Sequence, residues 1–264
     1  MYYHYTDING LYSILLNKKL WLTDSRFLND HTEGTEIFSY LEKAFEKLGV
    51  NGSDLKLTMK KFSDLSIGID SYTTSFSTEA DLLSQWRGYC PSSGGYCLGF
   101  KSLDRNQFEV LGDGTSLTQW LIDPQPCIYL EDKKIQLANI IANTLLEWLG
   151  GNESKDHLKY QFMMQFHNMK MLYKSSHFKE ESEARVIVNV HNDQMAIPMF
   201  RTKSNLVVPY LNLIFQPRII KEIIIGPSSK KELAKLGLQI FLKSLGPDFA
   251  HINIRHSSIP YRNI

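Results

Sequence analysis

Four groups of polar residues in this 264-residue chain have the types and spacing that chemistry needs. The first is His4-Tyr5-Thr6, in a run of aromatic and β-favouring residues that reads as a strand. Side chains alternate across a strand, so His4 and Thr6 share one face and Tyr5 takes the other. An imidazole beside a hydroxyl can hydrogen-bond a ribose or an amide, and the same pair also suits a water-exposed edge strand. The second is Asn29-Asp30 with Glu33 three residues after Asp30. Two carboxylates at that spacing can compensate a helix N-terminus, or serve as a metal or ribose site on a loop.

The third group runs from Ser75-Phe76-Ser77 through Trp86 and Tyr89 to Gly95-Tyr96-Cys97-Leu98-Gly99-Phe100. Small hydroxyl residues end a strand there, and a short helix then carries Trp86 and Tyr89 three apart on one side. Aromatics beside small polar groups wall a pocket for a flat ring ligand, and they equally pack a short helix onto a core. The fourth is Glu181-Ser182-Glu183-Ala184-Arg185. A strand beginning near Glu181 places Glu181, Glu183 and Arg185 on one face and Ala184, Val186 and Val188 in the core. Two carboxylates and a guanidinium on one face are costly unless solvated, paired or working.

The elements that must position these groups follow from periodicity. Strands are expected over residues 1–6, 19–23, 71–76, 96–100, 183–190, 205–215, 219–225 and 252–255. Helices are expected from Asp7 or Asn9 to about Asn17, over 36–48, from the Asn51–Asp54 turn to Phe62, over 80–89, 133–149 and 154–175, and from Gly226-Pro227-Ser228 to about Leu245. The stretch 111–126, with Gly112, Gly114, Pro124 and Pro126, reads as irregular. Strands are not regularly interleaved with helices, which favours α+β over a doubly wound sheet. No repeat or long linker divides the chain, so residues 1–264 read as a single domain with a helical insertion at about 132–176. The insertion's lysines Lys155, Lys159 and Lys170 read as a solvated helix face.

Lys+Arg number 29 against Asp+Glu 28, so the chain is nearly neutral. That disfavours a protein that coats nucleic acid, although a local basic groove is compatible with it. A hydrophobic share of 43% excludes a disordered tail protein. Cys90, Cys97 and Cys127 form no C-x-x-C, which points away from cysteine-bound zinc and towards a reducing compartment. No apolar run approaches membrane-spanning length and the first residues lack a secretory pattern, so a cytoplasmic location is expected. Walker A, G-x-G-x-x-G, H-E-x-x-H and G-x-S-x-G motifs are absent.

Taken in order, the pieces resemble one bacterial family. Tyr3-His4-Tyr5-Thr6, Leu20-Trp21-Leu22-Thr23, Leu28-Asn29-Asp30 with Glu33, Ser75-Phe76-Ser77, Trp86 with Tyr89, Gly95–Phe100, Glu181–Arg185, Ile223-Ile224-Ile225-Gly226-Pro227 and Ser258-Ile259-Pro260-Tyr261-Arg262 look like the family known as domain of unknown function 2971. More distantly, the arrangement is similar to the ADP-ribosyltransferase superfamily: a strand with His and Thr, a helix, a strand ending in Ser-x-Ser and a late strand opening with Glu. That second resemblance implies an ADP-ribosyltransferase-like split mixed β-sheet core with flanking helices. It implies NAD as substrate, with no metal required, and a protein or nucleic-acid acceptor, as in toxins or phage-defence enzymes. By the same resemblance Glu183 is the catalytic carboxylate and Glu181 the first of a Glu-x-Glu pair. His4 and Thr6 would hold the ribose and Ser75 and Ser77 would form the pocket wall, with Tyr5 and Arg185 also counted among the cofactor-binding residues. Trp86 and Tyr89, with Tyr12 and Tyr96, are the aromatics nominated to stack on the ring. Asn29 and Asp30 are assigned to the ribose or adenine side.

Two other readings use the same residues. One is a non-catalytic nucleotide-binding or interaction module that kept the pocket and lost turnover. The other is a metal-dependent nuclease built on Asp30, Glu33, Glu181 and Glu183, which needs converging carboxylates and usually a Lys.

Overall fold

The computed structural model describes residues 1–28, 34–65, 67–90, 94–150, 156–191, 197–228 and 230–260. Its first half runs β1 (Tyr2–Thr6), α1 (Ile8–Asn17), β2 (Lys19–Asp24), α2 (Glu36–Lys47), α3 (Gly52–Leu65), β3 (Ile69–Ser77), α4 (Leu83–Tyr89), β4 (Tyr96–Phe100), β5 (Phe108–Leu111) and β6 (Leu121–Pro126). The second half runs α5 (Glu131–Gly150), α6 (Asp156–Leu172), β7 (Glu183–His191), β8 (Met199–Lys203), β9 (Leu206–Phe215), β10 (Ile220–Ile225), α7 (Lys231–Ser244) and β11 (Asn253–His256). This is a mixed α+β fold: β10 and β11 are parallel, and the other pairings between named strands among the described residues are antiparallel.

The strands follow the order β11-β10-β4-β1-β3-β2-β9-β5, with β7 also on β3, β6 on β7 and β8 on β9. Strand β3 is the junction. One of its edges pairs with β7 from Ile69 to Ser77. The other edge pairs with β2 at Tyr72 and Thr73, and with β1 only at Ser77. Between those two stretches the Ser75 carbonyl bonds the His4 ring at Nδ1, 3.0 Å away. The imidazole thereby takes the place of a missing strand neighbour, because a backbone carbonyl in the interior needs a partner.

Hydrophobic patterning sorts the packing onto the two faces. Ala184, Val186, Val188 and Val190 of β7 are buried, and the three valines join a core with Leu11 and Leu15 of α1 and Leu238 and Leu242 of α7. Ile187 faces the other way, into a core of Ile37, Leu41, Phe62, Ala142, Leu145 and Phe166 from α2, α3, α5 and α6. The helices expected at 133–149 and 154–175 therefore join α2 and α3 in one helical layer. Lys170 is half-buried rather than on a solvated face, and burial beside Arg26 lowers its pKa. A third, small core holds Tyr5, Trp86, Cys97 and Ile224.

Several boundaries differ from the periodicity. Helix α4 starts at Leu83 rather than Ala80, because Asp81 has a left-handed φ of 59° and breaks the helical run. Strand β6 lies within the stretch read as irregular. A register shift between Ile122 and Gln125 admits Pro124, which has no N–H for the ladder. Strands β5 and β8, of four and five residues, are not among the expected strands. The expected cap of α1 is present: the Asp7 carboxylate accepts from the Gly10 N–H at 2.6 Å. Asp7→Ala is expected to cost about 1 kcal/mol in a urea melt, and Asp7→Asn much less.

Candidate functional site

The fourth sequence group builds a buried charge cluster at the start of β7. Residues Ser176–Glu181 form a 3-10 turn, and Ser182 is left-handed with φ 46°. The strand therefore starts at Glu183, two residues later than a strand from Glu181 would, and Glu181 lies outside the ladder. Hydrogen bonds pin this corner to the end of β3. The Ser77 hydroxyl donates to the Glu181 carbonyl at 2.8 Å, and the Thr78 N–H donates to the Ser182 carbonyl at 2.8 Å. The Glu183 N–H donates to the Tyr129 hydroxyl oxygen at 3.0 Å.

Glu183 is only 5% exposed, and both carboxylate oxygens are engaged. Arg185 Nε donates to Oε1 at 2.6 Å and Nη2 to Oε2 at 3.1 Å. Lys174 Nζ bonds Glu183 Oε2 and also the carboxylate of Glu181. Arg185 Nη1 reaches the Met171 carbonyl at 2.7 Å. Burial alone would raise the Glu183 pKa, but Arg185 and Lys174 overcome it and hold the carboxyl at about 2. Burial likewise disfavours the Lys174 ammonium, and the two carboxylates more than offset that, so its pKa rises. The cluster is a charged, desolvated unit whose members depend on one another.

Antiparallel register tells which candidates share this face, because directly opposed residues project the same way. Ser77 stands opposite Glu183 and Ser75 opposite Arg185, so both serines lie on the Glu183 face. Tyr3 stands opposite Ser77, which puts Tyr3 and Tyr5 there too. His4 therefore projects to the other face, where its ring lies 5.6 Å from that of Phe76. The fold brings Glu181, Glu183, Arg185, Ser75 and Ser77 together and does not place His4 or Thr6 on their face. Burial lowers the His4 pKa despite the bond with Ser75, which favours the neutral ring. Thr6 packs on the first turn of α1: a Cβ at Gly10 would lie 1.9 Å from its hydroxyl.

Two of the aromatics expected to stack on a ring, Trp86 and Tyr12, pack against protein side chains. Trp86 is 3% exposed, meets Tyr5 edge-on at 4.8 Å, and donates its indole N–H to Asp81 at 2.8 Å. The Tyr5 hydroxyl accepts from the Leu82 N–H at 3.0 Å and faces the Glu79 carbonyl at 3.3 Å. Asp81 also receives the hydroxyls of Ser257 and Ser258, which ties the chain after β11 to α4. Tyr89 is 42% exposed, and Tyr12 stacks on Phe241 of α7. Asn29, Asp30 and Glu33 lie outside the described residues.

Lys174, Tyr129 and Asp81 were not among the sequence candidates. Lys174 follows α6, and only the fold carries it back to Glu181 and Glu183. A carboxylate pair demanding a counter-charge was the one available signal, and Arg185 already supplied an answer to it. Among the described residues no three His, Cys, Asp or Glu side chains are grouped to hold a metal ion, and no helix is long and apolar enough to cross a membrane.

No curated protein and no solved structure matches the chain. Residues 85–186, which span Trp86, Tyr89, Gly95–Phe100 and the Glu181–Arg185 cluster, match the family model described as protein of unknown function (DUF2971).

Proposed function

We propose that this protein is an ADP-ribosyltransferase that consumes NAD, with Glu183 as the catalytic carboxylate. The observation that carries the reading is a buried glutamate held by Arg185 and Lys174 at the strand junction, directly across from Ser77 at the end of the Ser-x-Ser strand. The split along β3, where β2 and β1 take successive parts of one edge, supports an ADP-ribosyltransferase-like core. In the proposed step the bond from ribose C1′ to nicotinamide breaks and its electron pair leaves with nicotinamide. The cationic ribosyl centre is stabilised by the Glu183 charge. An acceptor oxygen or nitrogen forms the new bond and releases its proton to Glu183, which returns it to water.

Two neighbours acquire roles in that step. Arg185 orients the carboxylate through its paired N–H groups. Lys174 already bridges both acids. Passing it wholly to Glu181 leaves Glu183 Oε2 with only the longer bond from Arg185 Nη2, at 3.1 Å, and opens a lone pair to the ribosyl centre. Glu183→Gln is expected to abolish nicotinamide release from NAD, assayed with and without DNA, RNA or cell lysate, while NAD binding persists. Release that is unchanged in Glu183→Gln would overturn the assignment.

A second reading is favoured by two observations: His4 and Glu183 lie on opposite faces, and both Glu183 oxygens are ion-paired. In that reading the fold binds a nucleotide without turning it over. Saturable NAD binding with no nicotinamide release under any condition identifies it.

A further inference from the structure

Away from Glu183, the far end of the same sheet face carries a second set of polar groups. Thr23 stands opposite Thr73, so the face continues from β3 onto β2. Alternation then places Trp21 with Thr23, and register adds Asn212 and Tyr210 of β9 and Met199 and Arg201 of β8. The Arg201 guanidinium lies 4.5 Å from the Trp21 ring centroid, and Trp21 and Tyr210 are 5.3 Å apart. One Arg201 Nη donates to the Thr23 hydroxyl at 3.0 Å.

This cluster is incompletely satisfied. Arg201 is half-buried, and among the described residues its Nε, shielded from water, has no hydrogen-bond partner and no carboxylate pairs with its guanidinium. Asn212 is 6% exposed, and among the described residues its Oδ1 has no partner and its amide N–H meets only the thioether of Met199. A thioether is a weak acceptor on an adaptable side chain. Buried groups left this way cost stability unless a ligand completes them. Trp21, 37% exposed, keeps the cluster open to solvent at one side.

We propose that Trp21, Arg201, Tyr210 and Asn212 form a binding site for a nucleotide unit, reached when Met199 swings aside. The aromatic rings and guanidinium plane take the flat base, the Asn212 amide offers an acceptor and a donor to the base edge, and Arg201 takes the phosphate. A free nucleotide and a single-stranded nucleic acid present the same chemistry. This site does not depend on Glu183, and a nicotinamide-release assay is blind to its failure.

The test is titration with AMP, adenosine, inorganic phosphate, poly-glutamate and short fluorescein-labelled single-stranded DNA and RNA. AMP or an oligomer is expected to bind more tightly than adenosine, phosphate or poly-glutamate. Arg201→Gln and Asn212→Leu should each weaken that binding by about tenfold. Met199→Ala, which uncovers Asn212, should strengthen it. Asn212→Leu should also raise the melting temperature of the free protein, because it removes an unpartnered buried amide. Stronger binding of AMP than of oligomers identifies a free nucleotide as the ligand, and the reverse identifies a strand. Equal binding of poly-glutamate, no binding of AMP or oligomers, or binding indifferent to Arg201→Gln, Asn212→Leu and Met199→Ala would overturn the proposal.

Discussion

Arg185→Met is expected to lower the free energy of unfolding by about 3–5 kcal/mol, the cost of removing one partner from a buried ion pair. Arg185 is 1% exposed and makes two bonds to Glu183 and one to the Met171 carbonyl. Methionine fills much of the volume but leaves that carbonyl unpaired and Glu183 with Lys174 alone. Arg185→Lys should recover little, because an ammonium cannot reproduce the guanidinium fork. The midpoint of a urea titration with an unchanged slope measures the effect. A loss below about 1 kcal/mol would place the pair in the range of exposed ion pairs and contradict the burial argument.

The same cluster sets an acid dependence. The Glu183 pKa is depressed from the usual 4.5 to about 2 in the fold. Its contribution to stability is therefore fully present above pH 4.5 and is lost as pH falls through about 2. The difference between the native chain and Arg185→Met should be largest near neutral pH and shrink in acid.

Trp86→Ala is the second large effect, expected to cost about 3–5 kcal/mol as a buried aromatic truncation. Trp86 joins Tyr5, Cys97 and Ile224 in the small core. A Cβ at Gly226 would come within 2.9 Å of its ring. Trp86→Phe should cost less, since Asp81 keeps its bonds from Ser257 and Ser258 when the indole N–H is gone. Thermal melting followed by far-ultraviolet circular dichroism checks the order. A Trp86→Ala variant that melts like the native chain, yet loses affinity for NAD, would restore Trp86 as a ligand wall.

Much of the fold was legible because periodicity and turn chemistry agree along this chain. Tyr96–Phe100 matches its strand residue for residue, and the Asp7 cap and the buried face of β7 follow from side-chain type. What was not legible depends on register and on long-range return of the chain. Alternation within β1 correctly pairs His4 with Thr6, but nothing in the local sequence says which face of β3 they meet. That is decided by Tyr3 standing opposite Ser77, 74 residues later. Glu181 and Glu183 keep company as expected, through Lys174 rather than through a shared strand. The left-handed Ser182 between them removes Glu181 from the ladder, and serine there carries no sequence signal as glycine would. Trp86 shows the same ambiguity from the other side: an aromatic beside small polar residues describes both a ligand wall and a packed corner, and burial decides between them.

The proposed contact between the Glu183 carboxylate and NAD is open to direct measurement. Carbon-detected nuclear magnetic resonance of glutamate side-chain carboxyls, with Glu183→Gln providing the assignment, reads it directly. The expected result is a Glu183 resonance at the ionised position throughout pH 5–8, shifted by saturating NAD as Lys174 passes to Glu181. A Glu183 resonance indifferent to saturating NAD would contradict it.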